Sequence, residues 1–177
     1  SDNVWMCFHD DTVDAMTDGT GTFASKTVSQ VNELNIDTFS STYYGTKIPT
    51  LEKFLKFCTK WGGVPVIEIK VYNNDTSLED LINIIRNNGF LNKCIVMAFG
   101  TETLSKLRRL NTEIPLCQLS NTATQEDLDK AISINSDYVS INKSAMSQKF
   151  CQLAHQQGIK VGAWTIDSES EATNLIN

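Results

Sequence analysis

The sequence predicts an α/β fold made of repeated βα units, and three observations carry that prediction. After Gly63, short apolar runs rich in β-branched residues alternate with amphipathic stretches about ten residues long, the pattern of parallel strands joined by helical crossovers. Asn88-Gly89 and Gly158 fall just past the predicted helix ends, where a left-handed residue is wanted. Ser77-x-x-Asp80 and Thr124-x-x-Asp127 have the spacing of helix starts, with Asp where Glu or Gln is the usual partner. With 177 residues, 41% of them hydrophobic, the chain can bury a core of its own, so one domain over 1–177 is expected.

Taken in order, Val4-Trp5-Met6-Cys7-Phe8 reads as an extra strand that runs into His9-Asp10. Asp18-Gly19 punctuates the loop that follows, and Ser40 to Gly45 reads as an exposed loop bearing tyrosines. Thr50 begins a helix on which Leu51, Phe54, Leu55, Cys58 and Trp61 recur on one face, an aromatic stripe that reads as core packing. The predicted strands run from Val64 to Lys70, Cys94 to Phe99, Leu116 to Leu119, Tyr138 to Asn142 and Val161 to Ile166. Helices are predicted near Ser77 to Asn88, Thr101 to Leu110, Thr124 to Ile134 and Ser147 to Gln157. Such a pattern can close into a barrel or lie open as a doubly wound sheet, and local periodicity does not separate the two.

Composition excludes several classes. A net charge of -6 without any Lys/Arg block argues against a broad nucleic-acid surface. No run approaches the roughly eighteen apolar residues of a membrane span. The five cysteines, Cys7, Cys58, Cys94, Cys117 and Cys151, are far apart, odd in number and lack zinc spacing. Small buried hydrophobes is the reading they support, and reduced thiols suit a cytoplasmic location, although a secreted one stays open. Gly19-Thr20-Gly21 lacks the last glycine of a dinucleotide fingerprint, and neither G-x-S-x-G nor a phosphate-loop lysine occurs. His155, on a predicted helix, reads as a surface or structural residue.

The chemistry gathers elsewhere. An imidazole where an apolar run meets a loop can exchange protons near neutral pH, and Asp10 can orient its ring or satisfy loop donors. Glu68 and Lys70 alternate along one predicted strand, so both point to one side, and a carboxylate buried there needs a cation. An internal Glu68 to Lys70 ion pair or a ligand site would each answer that need. Glu68, Phe99, Asn142 and Trp164 all stand at predicted C-terminal strand ends.

The stretch from His9 to Gly21, followed in order by Ile48-Pro49-Thr50-Leu51-Glu52, Glu68-Ile69-Lys70 and Trp164-Thr165-Ile166-Asp167, resembles the glycerophosphodiester phosphodiesterase family. The resemblance implies a TIM (β/α)8 barrel of the phosphodiesterase type, incomplete in this chain. The family's opening histidine-arginine-glycine strand, its glutamate-x-aspartate strand and its last glycine-aspartate strand are absent, so the domain is expected to be truncated at both ends. The length agrees, since a complete barrel typically needs about 250 residues. Carried over residue by residue, His9 matches the second of two histidines that share acid and base roles. Glu68 matches a ligand of a divalent metal, Ca2+ or Mg2+, and Lys70 a contact to phosphate. Trp164 covers the glycerol portion, with a core tryptophan as the competing reading, and Phe99 supplies an apolar wall beside Ala98, which replaces the family's serine. Asp10 is a supporting residue. Ala15 stands where relatives commonly have arginine, which removes one positioning contact from the loop.

The expected function is metal-dependent hydrolysis of a small-molecule glycerophosphodiester to sn-glycerol 3-phosphate and an alcohol. Two alternatives remain at this stage: a barrel retained as a binding or structural module, and a phospholipase-type diesterase. The truncated chain alone is expected to be weakly active or inactive, with self-association through open barrel edges.

Overall fold

The computed structural model describes residues 2–36 and 45–176. The Tyr-bearing loop expected from Ser40 to Gly45 therefore lies, but for Gly45, outside the described residues. The chain forms two compact units, Ser1–Pro65 with Lys70–Leu91, and Val66–Ile69 with Asn92–Asn177.

In the first unit a long loop leads through a 3-10 turn (Phe23–Ser25) into α1 (Val28–Glu33), then α2 (Leu51–Trp61) and, later in the chain, α3 (Asp75–Asn87). Helix α1 was not anticipated. It is held by a reciprocal Thr27/Gln30 capping box over only six residues, too short for periodicity to register. Thr50 caps α2 as expected, accepting from the Lys53 N–H, and Gly62 closes the helix at φ 70°. Leu51, Leu55 and Cys58 are buried, but Trp61 is 67% exposed and rests on Phe57 at 6.2 Å with the Lys60 ammonium 5.1 Å above its ring. Ten residues after Leu51, Trp61 has rotated about 80° away from the buried stripe, so the one-face reading fails at that residue.

Two further expectations change here. Val4 to Phe8 does not form a strand: it makes one bridge, Met6 to Thr50, with Cys7 N–H to Pro49 O at 2.9 Å and Leu51 N–H to Trp5 O at 2.8 Å. Its partner segment cannot extend the ladder, because Pro49 has no N–H to give and the chain turns helical at Leu51. Helix α3 starts at Asp75 rather than Ser77, because Asn74 accepts from the Ser77 N–H at 3.1 Å and thereby takes the cap position. Its buried stripe is Leu78, Leu81, Ile82 and Ile85.

The second unit carries a parallel sheet of β1 (Val66–Glu68), β2 (Ile95–Ala98), β3 (Leu116–Ser120), β4 (Tyr138–Asn142) and β5 (Lys160–Trp164). Helices α4 (Thr101–Leu110), α5 (Gln125–Ser133), α6 (Gln148–Gln156) and α7 (Glu169–Ile176) follow β2 to β5 in turn. The spatial order β1-β2-β3-β4-β5 repeats the chain order. A doubly wound sheet reverses direction at a switch point, whereas a barrel wall adds each strand beside the last. The sheet is thus part of a TIM barrel. Strand β1 is shorter than expected, because Pro65 lacks an N–H and Gly62-Gly63 precede it, although the Ile69 N–H still reaches Met97 O at 2.8 Å. Leu128, Ala131, Val139, Ile141, Phe150, Ala154 and Ile159 pack as one cluster between β4 and the helices α5 and α6.

Thr124 and Asp127 form the reciprocal cap expected from their spacing, and Gly89 and Gly158 have φ 78° and 74° just past their helices. His155 lies exposed on α6.

Candidate active site

His9 stands in the first unit, its side chain 79% exposed, with Nδ1 2.7 Å from Asp10 Oδ1. That contact is the one a ring-orienting role for Asp10 requires.

The loop behind His9 is held without the arginine that Ala15 displaces. Asp14 accepts from the Gly21 N–H at 2.8 Å, and Val13 N–H reaches Gly21 O at 3.0 Å. The buried Thr17 hydroxyl donates to Val13 O and accepts from Gly19 N–H. A Cβ on Gly19 would come within 2.3 Å of Leu34 Cδ2, so a larger residue there would have to displace the Leu34 side chain. Asp18 accepts from both the backbone N–H and the side-chain amide of Asn35, and those bonds hold its carboxyl below the usual range. The Asp18-Gly19 motif therefore builds the loop. Phe8 stacks on Phe23 at 4.6 Å immediately before His9.

In the second unit, Glu68 ends β1, Phe99 follows β2, Ser120 ends β3, Asn142 ends β4 and Trp164 ends β5. Parallel strands present these ends on one side, the side from which reactive groups project in barrels. Phe99 and Trp164 meet edge to face, centroids 5.7 Å apart and planes at 87°. The Trp164 indole N–H donates to Ser140 O at 3.3 Å. Beside it on β5, a Cβ at Gly162 would lie 3.3 Å from the Ser140 hydroxyl, a tight contact that glycine avoids. The peptide bond between Trp164 and Thr165 is cis.

Glu68 is half-buried and registers with Met97. Lys70 is exposed and lies two residues beyond the end of β1, in the first unit, so strand alternation does not extend to it. Among the described residues no group of three or more His, Cys, Asp or Glu could hold a metal ion. Glu68 supplies one carboxylate, which does not by itself make a calcium or magnesium site of six or more oxygens. The structure thus brings together His9 with Asp10, and Phe99 with Trp164.

Three features of this rim escaped the sequence reading. Gln118, on a strand whose every residue is buried, bonds across to the turn carrying Phe99. Lys143, just after β4, pairs with Glu171 of α7 at 2.5 Å and holds that carboxyl below its usual range. The Thr124/Asp127 cap also takes in Ser120 and Thr122, whose hydroxyls both donate to Asp127 at 2.7 Å. The lone polar residue within Pro115-Leu116-Cys117-Gln118-Leu119 was the available hint for the first; Lys143 and Glu171 are 28 residues apart and gave none.

Comparison with known proteins agrees with this fold. The sequence model of the glycerophosphoryl diester phosphodiesterase family matches residues 1–177. YhdW of Bacillus subtilis (strain 168) is 25% identical over 179 residues, covering 98% of this chain and 73% of that protein. A glycerophosphodiester phosphodiesterase of the same organism is 23% identical over 201 residues, covering 99% of this chain and 67% of its own length. Among solved structures, an Oleispira antarctica phosphodiesterase in complex with its product sn-glycerol-3-phosphate superposes with a TM-score of 0.92 at 20% identity, over 99% of this chain and 72% of that one. With its strand order and a family match over residues 1–177, the chain belongs to the glycerophosphoryl diester phosphodiesterase family.

Proposed function

We propose that the protein hydrolyses glycerophosphodiesters, releasing sn-glycerol 3-phosphate and an alcohol such as choline or ethanolamine. The observation that carries this reading is the family match over residues 1–177, within which an exposed imidazole is anchored through Nδ1 by Asp10.

In this mechanism neutral His9, its Nδ1–H donated to Asp10, has an Nε2 lone pair available. Nε2 takes the proton of a neighbouring glycerol hydroxyl as that oxygen attacks phosphorus, and the imidazolium so formed gives that proton to the departing alkoxide. Either transfer is worth about two to four orders of magnitude in rate. The P–O bond to the alcohol breaks, and water then opens the cyclic phosphate to give sn-glycerol 3-phosphate. Lys70 offers positive charge to the phosphoryl oxygens. Phe99 and Trp164 cover the carbon portion of the substrate and exclude water.

Glu68 belongs to the same reading as one oxygen ligand of a calcium or magnesium ion. The described residues do not compose the rest of that site. A cytoplasmic setting is part of the proposal on the ground of the thiols: Cys58, Cys94 and Cys117 are buried and all five cysteines are free. No described helix is long and apolar enough to cross a membrane.

The test is product analysis with glycerophosphocholine, glycerophosphoethanolamine and glycerophosphoglycerol in parallel, using the protein in the form its gene encodes. Release of sn-glycerol 3-phosphate is expected, with turnover lost in His9→Ala and Glu68→Ala while the fold persists. Near-normal turnover in both variants, or no hydrolysis of any of the three, refutes the assignment.

A further inference from the structure

Strand β3 is buried along its whole length, yet its central side chain is an amide. Gln118 is 2% exposed and none of its polar atoms lacks a partner. Its Oε1 accepts from the Thr101 hydroxyl at 3.0 Å, while Nε2 donates toward Leu119 O at 2.9 Å, Phe99 O at 3.0 Å and Ala98 O at 3.3 Å.

These partners are not scattered. Ala98 is the last residue of β2, Phe99 and Gly100 form the turn, and Thr101 is the first residue of α4. One amide thus fixes the end of one strand, the exit turn and the start of the next helix, from the strand alongside. The backbone ladder between β2 and β3 stops at Ala98 and Gln118, so beyond that point the side chain replaces it. An apolar side chain of similar length would fill the same space at β3 but leave the Thr101 hydroxyl and the facing carbonyls without this partner. What the amide adds is direction: it holds the Phe99 carbonyl, and so the residue whose ring meets Trp164 edge-on.

We propose that Gln118 is a positioning residue for substrate, acting through Phe99 to set the apolar wall that Phe99 and Trp164 form at the strand ends. The proposal rests on reading those two aromatics as substrate-facing. Gln118 does not touch the reacting atoms. Its removal changes how the carbon portion of the substrate is held, and so acts on KM more than on kcat.

Gln118→Met keeps the length and removes both halves of the amide. Thr101→Val removes only the hydroxyl that orients the amide, and α4 does not need that hydroxyl, since its cap residue is Gly100. With the gene-encoded protein and glycerophosphocholine, Gln118→Met should raise KM about ten-fold, the scale of a lost apolar contact, with kcat within about two-fold. Thr101→Val should move KM in the same direction by less. In a Phe99→Ala background, Gln118→Met should add nothing to KM. Nuclear Overhauser contacts between the Phe99 and Trp164 rings, present in the wild type, should vanish in Gln118→Met. Unchanged KM beside a lowered melting temperature, effects that multiply in the Phe99→Ala background, or persistent ring contacts would each overturn the proposal. If the wild type hydrolyses no glycerophosphodiester, the reaction reading fails by itself, and the ring contacts alone decide whether Gln118 positions Phe99.

Discussion

Asp127 offers the sharpest quantitative test of the rim. It is 6% exposed, and its carboxylate accepts from the Ser120 hydroxyl on one oxygen and from the Thr122 hydroxyl, the Thr124 hydroxyl and the Thr124 N–H on the other. Burial pushes its pKa up, but the bonds from Thr124, Ser120 and Thr122 outweigh that and bring it down to about 2 from 3.8. A depression of nearly two units is worth about 2.5 kcal/mol in favour of the folded, ionised form. Because the folded value is the lower one, this stability is present above the unfolded value near 3.9 and disappears as pH falls through about 2. Asp127→Asn places an amide N–H against donors that now find an acceptor, so it should cost about 2–3 kcal/mol at neutral pH. For a domain of this size that lowers the melting temperature by about 5–10 °C. The assay is urea unfolding of wild type and variant at several pH values between 7 and 2. The gap between them should shrink by about 2 kcal/mol by pH 2. A gap that stays constant from pH 5 to 2, or one below about 0.5 kcal/mol at pH 7, refutes the argument.

Three further outcomes follow from other residues. Burial raises the Cys94 and Cys117 thiols to about 11 and about 12, so at pH 8 a thiol reagent should leave both unmodified in the native protein, and mass mapping of early adducts would show it. Chelation should abolish diesterase turnover and calcium or magnesium restore it, with Glu68→Gln weakening the metal response; turnover indifferent to chelator removes the metal from the reading. The sheet has β1 and β5 as its outer strands among the described residues, and β1 begins at the half-exposed Val66. Light scattering of the 177-residue chain should therefore find mass rising with concentration, and a mass constant over a hundred-fold dilution series would exclude edge pairing.

The fold was legible where one physical signal dominated. From β2 to α6 the predicted and observed elements agree to within a residue or so at each end, because each strand has an apolar core and most helices a side-chain cap that encodes their start. The first unit was harder to read. Val4 to Phe8 has the composition of a strand but no partner able to continue a ladder, and pairing is not a property of the run itself. Trp61 continues an apolar list in sequence while leaving the face in space, and α1 rests on one capping box.

Site residues divide along a similar line. Glu68, Phe99 and Trp164 could be picked out because strand ends are where a parallel sheet exposes side chains, whereas His9 stood out as an imidazole where an apolar run meets a loop, although that run forms no strand. What orients them could not be found that way, because it is made of partners distant in sequence: Gln118 and Phe99 are 19 residues apart, and Trp164 and Ser140 are 24. A sequence shows which groups can do chemistry; the hydrogen bonds that aim them depend on strand register, which is set only when neighbouring strands pair. Here Ala98 opposes Gln118, and Asn142 opposes Trp164. Shifting the β2–β3 register by one residue would turn the Gln118 side chain to the opposite face and strip the Phe99 turn of its support while leaving composition, periodicity and every motif intact.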